Sequence, residues 1–169
     1  MIVALHLEGR LWTCSCGYIL LWSGNIFTAD NSQHFFDPYT FTHIVHGFLF
    51  LGLVHLFWPR VPMPWKFTIA MSAEMLWEVI ENNTFIIDRY RSETISIGYV
   101  GDTILNSSGD ILACALGIFI ARKIGLLRAV LLALLMELIL ALTIRDNLLL
   151  NIIMLLYPVE AIRAWQAGH

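Results

Sequence analysis

Cysteine is scarce in this 169-residue chain, and nothing in it resembles a second CxxC pair that would complete a zinc site. Cys14 and Cys16 form a CxC pair, which can bind a soft metal or work as a redox couple. A bridge across one intervening residue is strained, so the spacing favours two unlinked thiols. Cys114 stands alone inside an apolar run. Runs of lysine and arginine are also missing, and the formal net charge is −3, which removes the electrostatic footprint of nucleic-acid binding. A signal peptide is not visible either, because only five apolar residues precede His6. The opening MIVALHLEGRLW reads as the tail of a helix. No internal repeat and no low-complexity segment interrupts the chain.

What is abundant is apolar surface. Hydrophobic residues make up 58% of the chain and the mean hydropathy is +0.71, which points to a membrane protein. A hydrocarbon core of about 30 Å needs about 17–25 apolar residues of helix. Five such stretches are found, near 40–58, 65–87, 98–121, 126–144 and 147–165. They predict an all-α, polytopic transmembrane helical bundle, residues 1–169 forming one integral membrane domain with a short N-terminal partial span or interfacial helix. Residues 13–39 are too polar and too rich in Gly, Asn, Asp and Ser to cross. Lys and Arg collect at Arg60 and Lys66, at Arg122, Lys123 and Arg128, and at Arg163. By the positive-inside rule those places face the cytoplasm, which predicts a cytoplasmic C-terminus and puts residues 13–39 on the outer side.

Within the spans lie groups that hydrocarbon does not tolerate. His43 and His46 share a face of the first span at i, i+3, and Glu74, Glu78 and Glu81 form one stripe on the second at i, i+4, i+7. Asp102, Asn106 and Asp110 repeat the pattern on the third, with Glu137 and Asn151 on the fourth and fifth. At about 1.5 Å of rise per residue, all of them fall in the outer half of the bilayer or near its midplane. Each ionisable group costs about 2.5–3.5 kcal/mol at the centre of a span even on lenient scales, so they must face one another, water or a cation. Imidazole and carboxylate donors suit zinc, iron or manganese, which makes His43, His46, Glu78, Glu81, Asp102 and Asp110 candidate metal ligands. Glu74 is the candidate general acid or base, and a metal-bound water the nucleophile.

The same residues also suit a plainer role. Protonated or hydrogen-bonded carboxylates can be interhelical glue, and GDTILNSSGD at 101–110 has the small and polar residues that let helices approach. Arg89, Arg91 and Arg145 flank the acids and can hold an anionic substrate or lipid head group, or pair locally with Asp88 and Asp146.

Five stretches, RLWTCSCG, NSQHFFDPYTFTHIVHGFLF, WEVIENNTFIIDRYR, GDTILNSSGDILA and IRDNLLLNIIMLLYPVEAIRAWQ, together resemble the bacterial inner-membrane proteins of uncharacterised protein family 0314, a domain of unknown function. The resemblance covers nearly the whole chain and implies a bacterial inner-membrane location but no activity. It also implies a further apolar segment before RLWTCSCG, where this sequence has only MIVALHL. Two functions remain: a metal-dependent hydrolase or transferase acting on a lipid-like substrate, or a non-catalytic accessory subunit of a larger membrane complex. Membrane lipid is the expected partner in both, other subunits in the second, and nucleic acid in neither.

Overall fold

A largely apolar run from Thr40 to Phe57 with no proline forms the first long helix of the computed structural model, which describes residues 1–96 and 98–168. In chain order the helices are α1 (Ile2–Leu7), α2 (Thr40–Phe57), α3 (Met63–Glu81), α4 (Thr84–Glu93), α5 (Ile104–Ile124), α6 (Leu126–Thr143), α7 (Leu148–Leu156) and α8 (Glu160–Ala167). Three of them, α2, α5 and α6, are long and apolar enough to cross a membrane. Helix α3 has 19 residues but carries Lys66, Glu74, Glu78 and Glu81.

The predicted second span, 65–87, is two helices rather than one. Helix α3 stops at Asn82, and Asn83 opens α4 by accepting a hydrogen bond from the Phe85 amide. The fifth, 147–165, is likewise broken, at Pro158, whose ring and missing N–H end α7. Nine residues of α7 give about 14 Å, under half a bilayer core. Helix α8 then returns: the Gln166 amide donates to the Arg145 carbonyl (3.0 Å), and an Arg145 guanidinium nitrogen donates to the Trp165 carbonyl (2.9 Å). Arg163 pairs with Glu93, a residue expected on the opposite side. Residues 145 and 166 therefore lie side by side, and residues 147–165 do not form one continuous helix. His169 and Ile97 lie outside the described residues.

Packing centres on α2 and α5. A Cβ on Gly47 would run into the Cys114 carbonyl and come within 2.9 Å of Gly117 Cα, and one on Gly117 would meet the Ile44 carbonyl. Two glycines face to face thus bring the backbones together, the small-residue contact that replaces hydrophobic driving force in lipid. Around this crossing, Phe48, Leu51, Ala70, Met71, Ile118 and Ala129 build the core. Helix α6 is different, with only Ala129 and Leu140 buried and Leu127, Leu131, Leu134, Leu138 and Leu142 exposed.

Residues 13–39 fold over the end where α2 and α5 begin, here called the capped end. The Leu11 and Trp12 carbonyls accept from the first amides of α5, Ile104 (2.8 Å) and Leu105 (3.1 Å), while Thr103 caps Asn106. Gln33 donates to the Gly101 carbonyl and Asn106 to that of His34, at 2.9 Å each. One expectation fails in this cap. Cys14 and Cys16 are joined as a disulfide, because the turn ending at Gly17 (φ 85°) brings their Cα atoms to 5.2 Å, within the bridging range. Cys114 is free and buried.

Candidate metal centre

Helical spacing on α2 turns His43 and His46 toward the acidic stripe of α3, and Glu74 takes both. Its Oε1 lies 2.7 Å from His43 Nδ1 and its Oε2 2.9 Å from His46 Nδ1. An ionised carboxylate only accepts, so both Nδ1 atoms donate to Glu74, which leaves Nε2 as the ring nitrogen turned to other partners. Glu74 itself has no exposure.

Beyond that bidentate pair the partners run out. Glu78 is fully buried, its Oε1 3.4 Å from His43 Nδ1, and neither of its oxygens accepts a hydrogen bond. Asp110 Oδ1, 4.0 Å from His43 Nε2, and Glu81 Oε2 are also buried and unpartnered, although Glu81 Oε1 accepts from the Tyr90 hydroxyl at 2.8 Å. Four carboxylate oxygens thus surround one imidazole with no donor among the described residues. Two triads, His43–His46–Glu74 and His43–Glu78–Glu81, each offer three donor atoms within 4.8 Å of one another. That spacing suits an ion whose bonds are about 2.0–2.2 Å long after small side-chain shifts.

The other predicted site residues are placed differently. Asp102 lines the same cleft, but Asn82 donates to its Oδ2 (2.9 Å) and Tyr99 to its Oδ1 (3.0 Å), so both oxygens are engaged. His43, His46, Glu81 and Asp110 share the wall of that cleft. Arg89, Arg91 and Arg145 lie outside that lining. They donate instead to the carbonyls of Leu155, Tyr99 and Trp165, and Arg91 also pairs with Asp88 at 3.6 Å. The expected local pairing of Arg145 with Asp146 is not formed.

A family profile described as a protein of unknown function, DUF2585, matches residues 5–168. The UPF0314 protein of Rhizobium meliloti strain 1021 is 47% identical over 167 residues, covering 99% of this chain and 85% of that protein. The chain belongs to the UPF0314 family. UPF0314 proteins of Novosphingobium aromaticivorans (45% identical, 99% of this chain and 87% of theirs) and Paracoccus denitrificans (43%, 95% and 83%) are also similar. No solved structure matches.

Several residues that organise this UPF0314 site escaped the sequence reading. Asp146 is the main one. It is fully buried, and it accepts from the Tyr39 hydroxyl (2.9 Å), the Asn147 amide (2.9 Å), Asn151 (3.2 Å) and Gln166 (3.2 Å). Glu137, which the sequence did bring into the polar set, has a related part, its two oxygens accepting the Leu148 and Leu149 amides at the N-terminus of α7. The available signal was RDN ahead of an apolar run, a helix-start pattern. Asp37, in DPYT before α2, gave the same signal, and its oxygens accept the Ser32 and Tyr39 amides.

Burial pushes the Asp146 carboxyl up to about 6, its four donors offsetting only part of the effect. Raised above its unfolded value, such a group binds its proton more tightly in the folded state. Its stabilisation is complete below about pH 4 and is lost as the pH rises through about 6. The rise from 3.8 to about 6 corresponds to about 3 kcal/mol. Thermal unfolding in detergent should show the wild type losing about that much relative to Asp146→Asn between pH 4 and 7. A difference that stays flat with pH would contradict this.

Proposed function

We propose that this UPF0314 protein is a multi-pass bacterial inner-membrane protein that holds a divalent zinc, iron or manganese ion beside His43 and His46. Bound there, such an ion would supply activation of a water for hydrolysis, or of another acceptor group for transfer, on an amphiphilic, lipid-like substrate. The observation carrying this reading is the set of unpartnered, buried carboxylate oxygens of Glu78, Glu81 and Asp110 around His43. An orphaned polar atom costs about 1–3 kcal/mol, and more when charged, so four in one place call for a cation.

In this reading Glu74 is a positioning residue and not the acid or base. Sealed from the cleft and bonded to both Nδ1 atoms, it sets the tautomer that presents Nε2 to an ion, as second carboxylates do behind metal-bound histidines. Glu81, half bonded and on the cleft wall, is better placed to move a proton. Asp102 braces the wall through Asn82 and Tyr99. The partly exposed guanidinium of Arg91 suits an anionic head group at the rim, and Arg89 and Arg145 serve the same end more weakly. Orientation follows the charges: no acid lies within 50–73 or 111–136, where five of the ten cations collect, so that end faces the cytoplasm.

Metal analysis of the purified protein is the test. The wild type should carry zinc, iron or manganese near stoichiometry, and a His43→Ala, His46→Ala variant should carry none. A metal-free wild type that copurifies with a large partner would sink the proposal and favour the accessory-subunit reading. That second reading has its own support, because α6 leaves a row of leucines uncovered and Asp102, Glu137 and Asp146 all act as glue.

A further inference from the structure

The end opposite the capped one carries a second cavity with the reverse chemistry. Phe48, Leu51 and Leu126 form the floor of an open groove of about 790 Å³, mouth included, with His55, Lys66 and Arg122 on its wall. Gly52 lies in the same lining, where even a Cβ would make only ordinary contact with Leu126 Cδ1, at 3.4 Å.

Lys66 is the unusual member. It is only 6% exposed, and its ammonium donates to two neutral acceptors, His55 Nδ1 (2.9 Å) and the Pro59 carbonyl (3.0 Å). No ion pair involves Lys66 among the described residues, and no acid lies in the flanking sequence from 50 to 73 or on the facing stretch from 111 to 136. Buried charges in proteins are almost always neutralised by a partner or a bound ion. Arg122, exposed at the mouth, adds a second positive charge and forms no ion pair among the described residues. An apolar floor below two cations is complementary to one kind of molecule, an anion with a hydrocarbon tail.

We infer that this groove binds an anionic phospholipid, its phosphate on Lys66 and Arg122 and one acyl chain along Phe48, Leu51 and Leu126. The inference uses the membrane embedding proposed above but not the metal centre. Basic pockets between helices on the cytoplasmic side are suited to such head groups. The lipid supplies the counter-charge that the protein withholds from Lys66.

Mixed micelles of a neutral detergent with phosphatidylglycerol or phosphatidylcholine test it, retained lipid being counted by native mass spectrometry. The wild type should hold one phosphatidylglycerol per chain, at least tenfold more tightly than phosphatidylcholine. Arg122→Gln, at an exposed position, should weaken that preference at least fivefold with unchanged circular dichroism, and Lys66→Gln should abolish it. Lys123→Gln, outside the groove, should bind as the wild type does. Equal retention of the two lipids, an unaltered preference in Arg122→Gln, or displacement by inorganic phosphate at millimolar concentration would each overturn the assignment.

Discussion

Replacing Glu74 by alanine should destabilise the protein by about 2–6 kcal/mol, because two buried imidazole N–H donors would each lose their acceptor at about 1–3 kcal/mol apiece. Two buried imidazoles depend on this side chain, and both lose their Nδ1 acceptor at once. Neither has a ready substitute. Glu78 lies 3.4 Å from His43 and is the nearest alternative, whereas His46 packs among Phe50, Trp77 and His43, which offer no anionic acceptor. Glu74→Gln keeps one acceptor oxygen and should lose about half as much. Unfolding in mixed micelles would measure both, and a loss below about 1 kcal/mol in the alanine variant would show that Glu74 does not hold the pair.

The neighbouring position should respond in the opposite direction. Glu78→Met, measured without metal, should raise stability by about 1–3 kcal/mol, because it removes two buried oxygens that have no donor and nearly preserves volume. The same variant should bind zinc or manganese at least a hundredfold more weakly, so that added metal stabilises the wild type but not the variant. Stability gained together with affinity lost is the signature of a ligand residue. If metal-free Glu78→Met is instead less stable, Glu78 is holding the bundle together and the interhelical-glue reading gains.

Much of this arrangement was legible from periodicity. The i, i+3 and i, i+4, i+7 spacings put His43 with His46 and aligned the three glutamates, and the structure keeps both groupings on facing helices. The boundaries of α2 and α6 also agree within a residue or two, because long uninterrupted apolar runs have only one good way to fold. The misses come from residues whose effect is not periodic. Pro158 sits in a run apolar enough to pass as a span, and hydropathy averages it away. Asn82 and Asn83 fall inside the expected second span, 65–87, when they form the joint between two helices. Asp102 shares a stripe with Asp110, but residues 98–103 are not helical, and Asn82 and Tyr99 reach it from outside the stripe. Asp146 was overlooked because its partners, Tyr39 and Gln166, are 107 and 20 residues away.

The return of α8 to Asp146 ties distant parts of the chain to one carboxylate. Tyr39 lies just before α2, Asn147 and Asn151 belong to the start of α7, and Gln166 lies in α8, and each donates to it. Segments more than a hundred residues apart thus share one acceptor withdrawn from water, so loosening any of them leaves that side chain a donor short.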